Sequence, residues 1–213
     1  MDEPERNQPA PEIAGGRTRA STLAGRQGLL GVLARERVTA ILRIHDLDES
    51  SRALAELTDA DQAMVRQIAR EGAISGVEPA VRYKAISALA QRPVAENLNL
   101  LADLAQFGED FYVRGHALIA VGQTGMVVHL AILLPRVGAS EQFERAAALH
   151  ALGTLAARVS PEAVEAHALA LGGDETLARA REALAASQAA RTGRTSQRSQ
   201  SERREEASGS ATT

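Results

Sequence analysis

The sequence contains no cysteine and no tryptophan, and its only aromatic residues are two tyrosines and three phenylalanines among 213 residues. Without cysteine, disulfide bonds, thiolate metal sites and cysteine nucleophiles are excluded. With so few aromatic rings, a core must be built from Ala, Leu, Val and Ile, which suits closely packed helices better than a β-sandwich. Long stretches rich in Ala, Leu, Glu and Arg favour helices as well. The composition therefore predicts an all-α protein.

The sequence also lacks a strong charge of one sign and a long apolar run. Its net charge is −3 and its pI is near 6.0, so no global basic field attracts nucleic acid. The most apolar stretch, 126–135, is interrupted by His129 and is far shorter than the roughly 20 residues that cross a bilayer. The first residues are acidic and do not resemble a secretory signal. We therefore expect a soluble, cytoplasmic protein with neither nucleic acid nor membrane as a partner.

A five-residue pattern, acid-x-x-x-Arg, occurs three times at nearly constant spacing. The copies are 78–82, 110–114 and 141–145, so their arginines are 32 and then 31 residues apart. Small and aliphatic residues follow each arginine at fixed offsets, namely Ala85, Ile86 and Leu89, then Ala117, Leu118 and Val121, then Ala148, Leu149 and Leu152. A period in this range is typical of a solenoid, in which each unit buries its apolar face on its neighbours. Weaker copies lie at 48–52 and 175–179.

With these residues the sequence resembles the HEAT-like repeat family, in the subtype shared with phycobilin lyases. The resemblance is good over 78–156 and weaker over 48–76 and 174–186. It implies a right-handed α-solenoid of antiparallel helix pairs, in which the second helix of each pair lines the concave face. Because members of the family serve as scaffolds, chromophore-attachment factors, metal-dependent hydroxylases and DNA-repair proteins, the resemblance specifies the fold better than the function.

The predicted organisation is one solenoid between two disordered tails, over 1–22, 23–187 and 188–213. The solenoid is expected to contain a degenerate repeat, three clear repeats and a C-terminal cap, over 48–76, 78–108, 110–138, 140–173 and 174–187. Both tails are rich in polar residues, Pro or Gly, and they cannot bury enough apolar surface to offset the entropy of ordering them.

The repeated acids and arginines are predicted to fasten the repeats to one another. Each acid opens a predicted helix, where a carboxylate accepts hydrogen bonds from unpaired backbone N–H groups. The arginine four residues later lies one turn further on, within reach of the acid of its own or the adjoining repeat. Stacked repeats should align these groups in a ladder of ion pairs. Gly122 and Gly153 are predicted to let the chain reverse into the next helix.

No catalytic constellation is present in the sequence. Family members that resemble deoxyhypusine hydroxylase carry His-Glu pairs just after the repeat arginine, and the positions here are Tyr83-Lys84, Gly115-His116 and Ala146-Ala147. The histidines never have the i, i+3 or i, i+4 spacing of a helical metal site; they are His45, His116, His129, His150 and His167. Serine elbows and phosphate-binding loops are missing too. We therefore predict no enzyme activity, no metal and no cofactor.

Most of the few aromatic residues lie near predicted helix ends. Phe107, Phe111, Tyr112 and Phe143 are predicted to fill gaps between repeats. Platforms on which the bases of a single-stranded nucleic acid would stack are nearly missing.

The second helices of the repeats carry the candidate binding surface. A polar stripe runs along the helix over 93–106, two acids follow residue 160, and the stretch between them is apolar nearly all round. An apolar patch of Val128, Ala131, Ile132 and Pro135, flanked by acids, would bind a basic helix or peptide of a partner protein. The predicted contact residues are Glu96, Asn99, Asp103, Val128, His129, Ile132, Glu162 and Glu165. The competing explanation is that a central solenoid helix is simply packed by neighbours on both sides.

The sequence therefore predicts a non-enzymatic scaffold or adaptor that binds a protein or peptide on the concave face. The alternative is a lyase-like accessory factor that holds a small ligand or chromophore in the same groove. A scaffold would co-purify with another protein, whereas a chromophore-binding factor would be coloured or would retain a small molecule. The pattern carries no information about the oligomeric state.

Overall fold

The computed structural model describes residues 31–72 and 76–209. The predicted N-terminal tail at 1–22, the first eight residues of the predicted solenoid (23–30), residues 73–75 and the last four residues lie outside the described residues. Within the described ranges the regular structure is entirely helical and contains no strand. The prediction of an all-α fold is therefore confirmed.

Nine α-helices and one short 3-10 turn follow each other along the described part of the chain. They are α1 over 31–42, α2 (Leu47–Ala55), α3 (Asp59–Arg70), α4 (Pro79–Leu89), α5 (Ala95–Phe107), α6 (Phe111–Thr124), the turn Val127–His129, α7 (Leu130–Arg136), α8 (Gln142–Val159) and α9 (Pro161–Gly209). The helix α9 is interrupted at Gly172 and Gly173, where the backbone is not helical and Gly173 has a φ of 67°. The sequence predicted a helix end at this glycine pair.

The helices are arranged in two layers. Helices α4, α6 and α8 contact each other in order and form one layer, which we call the A layer. Helices α3, α5, α7 and α9 also contact each other in order and form the B layer. Contacts between the layers join α3 to α4, α5 to α6, and both α7 and α9 to α8. This stacking is that of a HEAT-type solenoid, and its right-handed course and antiparallel pairing stay predictions.

A single continuous core contains only Ala, Val, Leu and Ile among its buried residues. The alanine three positions after each repeat arginine is fully buried, at Ala85, Ala117 and Ala148. Small side chains at these positions let the helices of the A layer approach each other closely. The composition therefore predicted the chemistry of the core correctly.

Gly122 serves helix packing rather than chain reversal. Gly122 lies inside α6 and Gly153 lies inside α8, and α6 ends only at Gly125. A Cβ atom at residue 122 would lie 2.6 Å from the carbonyl oxygen of Ala151 in α8. The prediction that Gly122 and Gly153 lie at reversals is therefore wrong, since both are within helices and α8 leaves no room for a side chain at Gly122.

The repeat arginines do join neighbouring repeats, but through acids other than the predicted ones. Arg82 forms an ion pair with Glu109 of the next repeat, with Nη2 donating to Oε2 at 3.0 Å. Arg114 donates from Nε and Nη2 to Oε2 of Glu144, at 3.0 and 2.8 Å. Arg145 donates instead to backbone carbonyl oxygens. The ladder therefore connects repeats, although its carboxylates are not the helix-opening acids.

The helix-opening acids have separate roles. Asp110 caps α6, because its carboxylate accepts a hydrogen bond from the backbone N–H of Val113 at 2.8 Å. Glu78 and Glu141 make no such bond with their helices, and Glu78 pairs with Arg43 at 2.7 Å. The acid and the arginine of one copy of the pattern form an ion pair only in the last copy, where Arg179 contacts Glu175 at 3.1 Å.

Glu144 is the most deeply buried acid of this ladder, with a side-chain exposure of 2%. Its second oxygen, Oε1, accepts a hydrogen bond from Arg136 at 2.8 Å, so one carboxylate binds two guanidinium groups. Burial alone would raise the pKa of Glu144, but the hydrogen bonds and charges of Arg114 and Arg136 lower it below the ordinary value. The carboxylate is therefore ionised at neutral pH and joins α6, α7 and α8.

The lowered pKa of Glu144 predicts a loss of stability in acid. The stabilisation is complete above the unfolded-state pKa of about 4.3 and is lost as the pH falls through the lower folded-state value. Glu144→Gln removes both ion pairs at every pH, and we expect it to lower the free energy of unfolding by roughly 3 kcal/mol at pH 7. Urea denaturation between pH 7 and pH 3 should show a shallower pH dependence for this variant. The matched control is Glu141→Gln, at an exposed position. If the free energy of unfolding of Glu144→Gln and of the unmodified chain changed equally with pH, the account would be contradicted.

Because α6 and α8 are in close contact, adding one methyl group at residue 122 should destabilise the fold. Gly122→Ala should lower the free energy of unfolding by about 1–3 kcal/mol through overpacking, although alanine has the higher helix propensity. Gly138→Ala is the control, since no atom lies within 4 Å of the position of its Cβ. Chemical denaturation of the two variants measures the difference, and an equally stable Gly122→Ala variant would show that the helices are not in close contact.

The last helix continues beyond the boundary that the sequence suggested. The backbone is helical over 174–209, whereas we expected the cap to end at 187 and a disordered tail to follow. No proline and only one glycine, Gly193, occur between 174 and 208, so the local sequence offers no strong helix stop. Among the side chains that the structure describes, the buried ones on this helix extend as far as Leu184 and Ser187.

Candidate interaction surface

The predicted contact residues lie on three consecutive helices of the B layer and on the 3-10 turn that precedes α7. Glu96, Asn99 and Asp103 are on α5, Val128 and His129 are in the 3-10 turn, Ile132 is on α7, and Glu162 and Glu165 are on α9. Because α5 contacts α7 and α7 contacts α9, these groups belong to adjacent helices of one layer. We call these eight residues together with Met126 the B-layer surface.

The apolar stretch over 126–135 is partly core and partly surface. Leu130, Leu133 and Leu134 are buried, and Ile132 packs partly against the core. Met126 and Val128 are 57% and 54% exposed, respectively. One face of the stretch is therefore packed by its neighbours and the other face is exposed, so both explanations offered by the sequence apply. The predicted apolar patch included Val128 but not Met126, because the whole stretch was expected to form one regular helix.

His129 has a structural role in this turn. Its Nδ1 accepts a hydrogen bond from the backbone N–H of Met126 at 2.9 Å, which closes the 3-10 turn just before α7. This bond fixes the imidazole against its own backbone. As a result, the side chains of Met126 and Val128 are exposed to solvent at this turn.

The acids of the B-layer surface differ in how they are paired. Glu165 forms an ion pair with Arg181 at 2.7 Å. In the described part of the chain, no ion pair involves Glu96, Asp103 or Glu162, and all three are exposed. Hydrogen bonds from its own backbone N–H and from the hydroxyl of Ser160 lower the pKa of Glu162. These three exposed carboxylates therefore remain outside the ion pairs, on two helices that contact α7.

Residues 69–153 match the family model for HEAT repeats. This part of the chain is therefore built of HEAT-like repeats. The matched range includes all three copies of the acid-x-x-x-Arg pattern, so the family predicted from those residues is confirmed. No curated protein matches the chain. Membership of the phycobilin-lyase subtype stays a prediction.

The described part of this HEAT-like repeat protein offers neither a cluster of metal ligands nor a membrane span. In residues 31–72 and 76–209, no three of the His, Asp or Glu side chains that the structure describes come together in a way that would hold a metal ion. Over the same ranges, the helices are too short or too polar to cross a bilayer.

Sequence reasoning missed a cluster of rings on the A layer of the HEAT-like array. It consists of Tyr83 from α4, Phe111, Tyr112 and His116 from α6, and Phe143 from α8, and we call it the aromatic cluster. Phe107 fills no gap, since it is 74% exposed. The sequence does contain one signal of this cluster. Aromatic residues recur close to the repeat arginines, and the stacking of the repeats brings equivalent positions together.

Proposed function

We propose that this HEAT-like repeat protein is a non-enzymatic scaffold or adaptor that binds a basic amphipathic helix or peptide of a partner protein on its B-layer surface. HEAT repeats generally mediate protein interactions and scaffolding. The observation that carries the proposal is the pair of exposed apolar side chains, Met126 and Val128, beside three unpaired carboxylates.

The apolar half of the surface extends across neighbouring helices. Ala131 and Pro135 are exposed on α7, and Leu169 and Leu171 on α9 are 46% and 48% exposed. Single exposed apolar residues are ordinary, but several on adjacent elements are typical of a surface that another molecule covers. Covering them would gain about 25 cal/mol for each Å² of apolar area removed from water.

The acidic half of the surface selects the charge of the partner. Glu96 and Asp103 on α5 lie on one side of the turn, and Glu162 on α9 lies on the other. Exposed charges of this kind accelerate the encounter with a basic partner and disfavour an acidic one. Binding should therefore weaken as the salt concentration rises.

A second candidate function is supported by a cavity elsewhere in the fold. A cavity of about 430 Å³ lies between the end of α8 and the two segments of α9, and its lining includes Ala156, Arg158, Ser160, Leu184 and Ser187. Sites for small molecules commonly have volumes of about 300–1,000 Å³. This volume favours the accessory factor that binds a small ligand, and native mass spectrometry would detect a retained molecule.

Charged substitutions on the B-layer surface test the scaffold proposal. The double variant Met126→Arg, Val128→Arg replaces two exposed apolar side chains with cations that repel a basic partner. We expect it to retain at most about a tenth of the partner affinity, with the free energy of unfolding changed by only about 0.5 kcal/mol because both positions are exposed. Affinity capture from an extract of the source cell, followed by titration of the captured partner, measures the loss.

The control carries the same kind of change at a distant place. Leu47 in α2 is 79% exposed, so Leu47→Arg adds a cation without touching the B-layer surface. Equal loss of the partner in both variants, or no loss in the double variant, would refute the proposal. A stoichiometric small molecule bound to the unmodified chain, without any protein partner, would favour the second candidate.

A further inference from the structure

The aromatic cluster gathers four of the five aromatic residues of the chain, and His116 joins them. Tyr112 is at its centre, with its ring centroid 4.2 Å from that of Phe111 and 5.2 Å from that of Phe143. The imidazole of His116 stacks on Tyr83 at 4.8 Å, with the two planes only 12° apart. The rings come from three A-layer helices, so the cluster spans three repeats.

The cluster lies at the edge of the hydrophobic core, against which Tyr83 packs, and reaches the surface at Tyr112. The buried apolar residues are all Ala, Val, Leu or Ile, and none of the clustered rings is among them. Tyr112 is 46% exposed, which makes it the most accessible ring of the cluster. Preordered aromatic side chains at a surface are the kind of group that contributes most to the energy of protein interfaces.

The backbone of α6 is adapted to hold one of these rings. The ring of Phe143 lies against Gly115, and a Cβ atom there would be only 2.7 Å from its Cδ1. Phe143 also contacts His116 at 5.5 Å between centroids. The absence of a side chain at Gly115 thus allows α8 to place its ring among those of α6.

The charges next to the rings are predominantly negative. The pKa of Tyr83 is raised above its ordinary value. Burial is the largest cause, and the charge of the nearby Asp110 raises the pKa further. Burial lowers the pKa of His116, and the one charged group that acts against this effect is again Asp110. Arg82, which also acts on Tyr83, is held by Glu109. The imidazole is therefore neutral at physiological pH and does not repel a cation.

The cations of the A layer next to the cluster are already bound by other groups of the chain. Arg114 is bound to Glu144, Lys84 donates to the backbone carbonyl of Ile44, and Arg145 donates to the carbonyl of Ala139 at 2.7 Å. Asp110 takes part in no ion pair with another described residue, although its charge acts on Arg114 and it lines a small pocket together with Arg82. Its carboxylate caps α6 two residues before Tyr112.

We propose that the aromatic cluster is a second binding site, which takes an arginine side chain of a partner protein, with the guanidinium on the ring of Tyr112 and paired with Asp110. Guanidinium groups stack on aromatic faces and are attracted by the quadrupole of the ring. The site lies on the A layer, so it is independent of the B-layer surface and does not rest on the function proposed for that surface.

The composition of the chain provides a specific reporter for this site. Tryptophan is absent and the only tyrosines are Tyr83 and Tyr112, so the intrinsic fluorescence of the protein originates in the aromatic cluster. The probe is a blocked peptide of glycines with two arginines, titrated into the full chain at low salt. The control peptide carries citrulline, a neutral analogue of arginine. We expect a saturable change of tyrosine emission with the arginine peptide and none with the citrulline peptide.

Two variants distinguish this site from a general acidic surface. Asp110→Asn removes the charge and keeps the helix cap, since Asn and Asp cap equally well, and it should weaken binding by up to about fivefold. Tyr112→Leu should weaken binding by about 2- to 30-fold, with Tyr83 remaining as the reporter. The double variant Met126→Arg, Val128→Arg should bind the peptide as the unmodified chain does.

Three results would overturn the proposal. The first is an equal response to the arginine and citrulline peptides, which would mean that charge has no part in recognition. The second is unchanged affinity in both the Asp110→Asn and the Tyr112→Leu variants. The third is loss of peptide binding in the B-layer double variant, which would place the peptide on the other layer and leave the scaffold proposal intact.

Discussion

The ion pairs of Glu144 are the interaction on which the rest of the structure depends. One buried carboxylate joins Arg114 of α6 and Arg136 of α7 to the first turn of α8, so it connects two repeats and both layers. Burying three charged groups is costly, and only their mutual pairing and hydrogen bonds offset that cost. Two turns further along the same two helices, Gly122 of α6 faces the backbone of Ala151 of α8, so α6 and α8 are also in close contact there.

Both candidate surfaces follow from the position of these helices. The place of α7 determines that Met126 and Val128 are exposed while Leu130 and Leu133 enter the core. The place of α8 against α6 brings Phe143 onto Gly115. Because the core is filled by aliphatic side chains alone, the aromatic rings are available for the surface. Each layer of the HEAT-like array therefore carries its own group of side chains suited to recognition.

The sequence was sufficient for the repeats and for the buried faces of their helices. The spacing of Arg82, Arg114 and Arg145 predicted the repeats, and the residues after them predicted the buried faces of the helices. Features that depend on the register between helices were not accessible. Glu109 and Glu144 lie outside the helix-opening positions, so only the stacking shows that they bind Arg82 and Arg114. The aromatic cluster escaped notice for the same reason, because its rings meet only across repeats.

The central claim is that Arg114 and Glu144 fasten adjacent repeats, and a double-mutant cycle tests it most directly. The free energy of unfolding would be measured by urea denaturation at pH 7 for the unmodified chain, Arg114→Gln, Glu144→Gln and the double variant. The account predicts that the single effects are not additive and that the coupling energy is at least about 1.5 kcal/mol. Additive effects, within about 0.5 kcal/mol, would show that the pair does not hold the repeats together.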